Sequence, residues 1–293
     1  MVMTRTVNAT GSASVSVANP VAELAAFLRD RRERLAPAAV GLPERKQVRR
    51  TPGLRREEVA ELAGVSIDYI VRLEQGRGLR PSPEVLEALA DALRLDDAER
   101  TYLFDLAQQR QPGGGKPSSV AAPALARLIE DLRPLPAMLV NHRYDILEWN
   151  PEMARLMVVD FATLPTAHRN TMWLCVMHPA LRDFYANRDQ TIREGIADLR
   201  AAWAAHPDDR VLGDMIAELR ARSDEFATAW AQHDVMVRGR GRKPLRHPDV
   251  GALAVNFEVL ISAQDPDQRL VIYRAADPDS QAALDRLAAS ATR

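Results

Sequence analysis

The chain has 293 residues, 39 Lys or Arg against 40 Asp or Glu, 46% hydrophobic residues and a single cysteine, Cys175. That length accommodates two domains with separate cores. One cysteine excludes an internal disulfide and points to a reducing cytoplasm, and no apolar run approaches the roughly 18 residues that a membrane helix needs.

The opening segment to Asn19 is small and polar, with no apolar stretch for a signal peptide, and is expected to be a disordered tail. Asn19 and Pro20 announce a first helix, with Leu24, Phe27, Leu28, Arg31 and Leu35 on one face. Pro37, Gly41 and Pro43 end it, and a loop through "ERKQVRRTPG" leads to "RREEVAELAGVSIDYIVRLEQGRG", Arg55 to Gly78. This reads as two short amphipathic helices split at Gly64-Val65-Ser66. A fourth helix follows Ser82-Pro83, and a fifth starts at Asp96 with Glu99 completing a capping pattern. Residues 20–109 thus form a five-helix bundle. Between Arg29 and Arg80 thirteen basic residues face eight acidic ones, whereas from Pro81 to Arg110 seven acidic residues face three basic ones. One side of the bundle suits a polyanion and the other does not.

Residues 110–122, beginning "RQPGGGKPSS", read as a flexible linker. In the domain expected over 123–293, "AMLVNHRYDILEWN" predicts a hairpin around Asn141-His142-Arg143, and Asn150-Pro151 caps a short helix. Helical patterning runs from Pro179 to about Gln232, broken at His206-Pro207 and near Ser223-Asp224. A basic loop, "RGRGRKPLRHPDVG", precedes an alternating strand over Leu253–Ile261 and a central strand "RLVIY"; a helix from Pro278 closes the chain. Strands at both ends with helices between predict an α+β domain with antiparallel pairing.

The helix pair is the informative motif. Val59, Leu62 and Ala63 face inward from the earlier helix, Ile70 and Leu73 from the later one, and Gly64 permits the tight turn. Ser66 caps the later helix and leaves Ile67, Asp68, Val71 and Arg72 outside. A first helix braced on the phosphate backbone with a second in the major groove is helix-turn-helix geometry. In such a groove Asp68 can accept from a cytosine amino group, Arg72 can pair with guanine and Ile67 can meet a thymine methyl. Lys46, Arg49, Arg50 and Arg77 suit phosphates.

"LRREEVAELAGVSIDYIVRLEQGRG" resembles the XRE-family (Cro/lambda-repressor type) helix-turn-helix. "LPAMLVNHRYDILEWNP" and "HDV…GRKPLRHPDVGALAVNFEVL…DQRLVIYRA" resemble an MmyB-like ligand-binding domain, and the likeness covers most of Pro20 to Leu287. The resemblance implies a lambda-repressor-like all-α DNA-binding domain followed by an α+β PAS-like domain, in a bacterial transcriptional regulator. It also implies that Arg56 stands at a backbone-contacting position and that Ser66, Asp68, Tyr69 and Arg72 lie near DNA. Arg55 departs from the usual Ser or Thr cap, and Ile67 and Val71 replace common polar residues.

A PAS-like pocket implies a small apolar or fatty-acid-like ligand. Trp149, Met153, Met157, Trp173, Met177 and Trp230 are candidates for its walls, beside Met138, Val140, Ile146, Leu156, Phe184, Tyr185, Trp203 and Phe226. His142, Arg143, His233, Arg242 and Arg246 are candidates to hold a carboxylate. The expected partners are double-stranded DNA, that ligand and a second copy of the chain, in a cytoplasmic protein associated with the nucleoid when bound. The alternative is a regulator whose second domain only binds protein or dimerises. No phosphate loop, nucleophile elbow or paired-carboxylate motif supports an enzyme, and no cofactor is expected. The six histidines never fall at i, i+4 on a helix or near a second cysteine, so no metal site is expected either.

Overall fold

The computed structural model describes residues 19–42, 53–77, 80–107 and 118–289. Lys46, Arg49 and Arg50, most of the predicted tail and most of the predicted linker lie outside the described residues.

The first helix, α1 (Pro20–Arg34), starts as its cap dictates, with the Asn19 side chain accepting from the Val21 N–H at 2.9 Å. Leu24, Phe27 and Leu28 turn inward. The central pair follows as α2 (Arg56–Leu62) and α3 (Ile67–Glu74). Gly64 turns between them at φ +64°, a left-handed conformation that glycine adopts without a Cβ penalty. Arg55 provides no side-chain cap for α2, as its departure from Ser or Thr predicts; its own N–H is instead bonded by the Glu58 carboxylate at 2.8 Å. Ser82 caps α4 (Pro83–Ala92), and Asp96 and Glu99 cap α5 (Asp97–Leu106) reciprocally. Phe27 and Tyr102 meet edge to face at 5.0 Å in the middle of the bundle.

One ion pair organises this bundle. Glu74, 2% exposed, accepts from Arg32 Nε at 2.5 Å and from Arg56 Nε at 2.8 Å, while Arg29 donates to its carbonyl. These longer-range partners reach Glu74 because it lies on the inward side of α3.

The second unit opens with α6 (Pro123–Asp131) and the hairpin β1 (Ala137–Asn141) and β2 (Ile146–Trp149). Helices α7 (Pro151–Leu156), α8 (Thr171–Met177), α9 (Arg188–Ala205), α10 (Arg210–Arg222) and α11 (Asp224–Trp230) come next. Strands β3 (Arg240–His247), β4 (Gly251–Ile261) and β5 (Gln268–Ala275) and helix α12 (Pro278–Ala289) complete it. The sheet is antiparallel with order β2-β1-β5-β4-β3, so "RLVIY" is central, as predicted.

The basic loop is a correction. Residues 240–247 pair with β4 along their full length, from Arg240 opposite Glu258 to His247 opposite Gly251. Its Arg, Lys, Gly and Pro content hides an alternation in which Lys243, Leu245 and His247 turn inward and Arg242 and Arg246 outward. Pro244 is tolerated because this is an end strand of the ladder. Beyond it, Ala186 N–H donates to the Pro244 carbonyl at 3.0 Å and Arg246 N–H to the Phe184 carbonyl at 2.7 Å. At the opposite end, Ile146 N–H of β2 donates to the Arg169 carbonyl at 2.9 Å.

Buried asparagines set the turns. Asn141 accepts from the N–H groups of Arg143 and Asp145 at 2.9 and 3.0 Å, folding the predicted hairpin turn tightly enough to hold Tyr144 at φ +70°. Asn170 caps α8 through the N–H groups of Met172 and Trp173 and donates to Asp145 at 2.9 Å. Helices α6 and α8 were not anticipated. The described residues contain no helix long and apolar enough to cross a membrane.

Candidate functional site

Three features bear on function: an exposed helix, a cavity, and the helix shared between them. Helix α3 packs on α1 and α2 through Ile70 and Leu73 and leaves its outer side open. Ser66, Ile67, Asp68, Arg72 and Arg77 are exposed and Tyr69 is half-buried; Ile67, at 52%, is unusually open for an isoleucine. Ser66 caps α3 by accepting from the Tyr69 N–H at 3.1 Å. Arg56 stands at the start of α2 with its guanidinium oriented by Glu74. Six predicted DNA-facing side chains from Arg56 to Arg72 therefore share one solvent-facing region. Among the described residues, no second-domain element buries them.

In the second unit the sheet and helices α8 and α9 enclose a cavity of about 210 Å³. Met138, Val140, Val259 and Val271 form its sheet wall, and Met157, Met172 and Cys175 its helical wall. Gly195 on α9 keeps the space open, since a Cβ there would stand 2.8 Å from Met172 Sδ. Val237 and Ile261, both 62% exposed, mark an apolar mouth. Lys243 reaches inward from β3 between the rings of Phe257, Tyr273 and Tyr185, with Nζ 4.8, 5.8 and 5.9 Å from their centroids. Its nearest polar partner is the Tyr273 hydroxyl at 3.4 Å, and among the described residues no carboxylate comes within salt-bridge range. By contrast, Arg269 is engaged with Asp198 at 3.9 Å and with the Tyr144 ring and hydroxyl. Burial pushes the Cys175 thiol up to about 11, so it stays protonated and non-nucleophilic near neutral pH.

Helix α9 belongs to both units. Thr191, Glu194, Gly195 and Asp198 face the cavity, while the helix also packs against α5 of the bundle. Arg200, fully buried, projects toward α1, where it pairs with Glu23 and also donates to the Trp230 carbonyl over the Trp230 ring. Glu23 is further held by His233 Nδ1 at 3.0 Å and the Tyr102 hydroxyl at 2.9 Å. Burial alone would raise the Glu23 carboxyl, but the His233 hydrogen bond and the Arg200 charge outweigh it and hold it below its usual range. Alongside, Arg31 donates to the His233 carbonyl at 2.9 Å and Arg34 to Asp234 at 2.7 Å. The segment that follows, Val237 to Gly239, lines the cavity.

Of the predicted ligand residues, Met138, Val140, Met157 and Tyr185 line the cavity and the others lie elsewhere. Trp149 packs edge-on to Phe161, Trp173 stacks on His168, Met153 is fully buried core and Met177 is a half-buried packing residue. Trp230 and His233 serve the inter-unit contact. Arg143 and His142 share Asp209, Arg246 points to solvent, and Arg242 pairs with Asp277. The residues that sequence reasoning missed are Lys243, Asp198, Arg200 and Glu23. Inward alternation along 240–247 was the signal available for Lys243.

The pattern of a helix-turn-helix domain matches residues 23–103, and that of the MmyB-like transcription regulator ligand binding domain matches residues 121–287. A comparison with curated proteins found no match. An exposed second helix of the pair on one unit and a cavity in the other agree with those assignments, and the second spans more than half of the sequence. The chain belongs to the MmyB-like transcription regulator ligand binding domain family, with a helix-turn-helix domain ahead of that domain.

Proposed function

We propose that the protein is a sequence-specific, XRE-type bacterial transcriptional regulator that binds DNA as a homodimer and responds to a fatty-acid-like ligand. The observation that carries this reading is the double duty of α9, one part of which walls the cavity while another holds the DNA-binding bundle through Arg200. A ligand that favours one placement of α9 shifts the bundle by the difference in its affinity for the two placements. Paired recognition helices then read half-sites one helical turn apart. Selection of bound sequences from a random DNA pool, with and without lipid extract, tests the whole reading. A pool that stays random overturns it.

Within the DNA-binding face, Arg72 is assigned to a base edge, and Arg77 with Lys46, Arg49 and Arg50 to phosphates. Replacing Arg72 by Ala is expected to weaken binding to the selected site by about 1–3 kcal/mol and to relax one base position. Arg77→Ala is expected to weaken all sequences alike and to lower the salt slope by about one. Fluorescence anisotropy over a salt series on matched and mismatched duplexes separates the two.

The cavity's apolar walls and its one unpaired ammonium suit an anionic amphiphile, with the chain along Met138, Val140 and Val271 and the headgroup at Lys243. A charge-assisted hydrogen bond contributes about 1.5–3 kcal/mol, so Lys243→Met is expected to weaken laurate binding about ten- to a hundredfold. Dodecanol, which has the same chain and no charge, should lose nothing. Equal effects on both probes in calorimetry would move the headgroup away from Lys243.

A further inference from the structure

His142, His206 and Asp267 come from three separate places: the turn between β1 and β2, the C-terminal end of α9, and the segment just before β5. The fold brings one ligating atom of each within 4.8 Å of the others. His142 is 2% exposed, and the asparagine-built turn fixes its position. Its Nε2 lies 2.8 Å from Asp209 Oδ2, a carboxylate also gripped by Arg143 Nε at 2.6 Å. An ionised carboxylate only accepts, so Nε2 carries a proton, and in the neutral ring Nδ1 then presents a lone pair.

That lone pair has no hydrogen-bond partner among the described residues, and it faces Asp267 Oδ1 at 3.8 Å. A buried acceptor beside a carboxylate has no proton to share and needs a Lewis acid or a donor. The remaining neighbour is the His206 ring, stacked on His142 with centroids 3.8 Å apart.

We propose that His142, His206 and Asp267 bind a first-row divalent metal ion of the zinc class, with Asp209 orienting His142 from behind and a fourth position open. Two imidazoles and one carboxylate are a donor set that zinc and its neighbours accept, and a carboxylate on the far nitrogen of a ligating histidine is the usual outer support. A tetrahedral ion at bond lengths of about 2.0–2.2 Å spaces its ligand atoms about 3.3–3.5 Å apart. The cluster must therefore close by up to about 1.5 Å, and His206 must tilt out of the stack. His206 and Asp267 are both partly exposed and free to do so. An ion held there would fasten the α9–α10 turn to the end of the sheet. The i, i+4 test applied to the sequence is blind to this set because its members are brought together only by tertiary folding.

The test uses the full chain, stripped by a chelator and then titrated with zinc(II) by calorimetry and with cobalt(II) by visible absorption. The expected result is one saturable equivalent, a tetrahedral cobalt spectrum and a zinc-dependent rise in melting temperature. His206→Gln and Asp267→Asn are each expected to weaken zinc binding by more than the roughly 10–100-fold typical of losing an outer-shell group. His178→Gln should bind like the parent. Absence of a saturable equivalent in the parent, or its survival in the H206Q/D267N double variant with a parent-like circular dichroism spectrum, overturns the proposal.

Discussion

Glu74→Ala is expected to destabilise the DNA-binding bundle by about 3–5 kcal/mol, the cost of leaving a buried charge without its partner. The charge in question is the Arg32 guanidinium, 5% exposed, whose Nε and one Nη both bond the Glu74 carboxylate and which would keep only the exposed Glu33 carboxylate and the Leu54 carbonyl. Arg56 would lose its anchor at the same time, and Arg29 donates to the Glu74 carbonyl from the next turn of α1. Specific DNA binding should fall with stability, although Glu74 is buried and cannot touch a base. Chemical denaturation followed by circular dichroism measures the effect. A change below about 1 kcal/mol would show that water or a rearranged Arg32 replaces the pair. The joint variant Glu74→Met with Arg32→Met should recover much of the loss, because exchanging a whole buried pair for apolar groups is often neutral.

Arg200→Met is expected to sever communication between the two units. In the parent, a ligand that alters DNA affinity by allostery does so by a factor of typically about 5–150. In the variant that factor should fall to about one, while cavity affinity and DNA affinity measured separately stay close to the parent's. Arg200 does not line the cavity or the outer side of α3; its partners are Glu23 and the Trp230 carbonyl. Operator titrations with and without saturating laurate give the factor directly. Retention of the parental factor would mean that coupling runs instead through the Arg31 and Arg34 contacts with residues 232–234.

Much of the architecture was legible because it is written locally. Asn19, Ser66, Ser82, Asp96 and Asn150 all cap helices where their spacing from apolar residues predicts. The breaks at His206 and Ser223 were readable for the same reason. The cavity was harder to read, since an apolar side chain in a wall and one in a solid core have the same composition. Trp149, Met153 and Trp230 fit a pocket by type and pack elsewhere by geometry. Lys243 was hidden by its basic neighbours, which made a strand look like a solvated loop. Arg200 and Glu23, 177 positions apart, pair across the units, a relation that no local pattern encodes.

The closed margins of the sheet limit how two copies can meet. Pro244 has no N–H to offer, and the segment around Phe184–Ala186 already occupies the β3 flank, while Arg169 occupies part of the β2 flank. A second chain therefore cannot join by strand addition at β3 without first displacing that segment, the same barrier that guards edge strands against runaway aggregation. A ten-stranded sheet continuous through β3 therefore requires this collar to peel away.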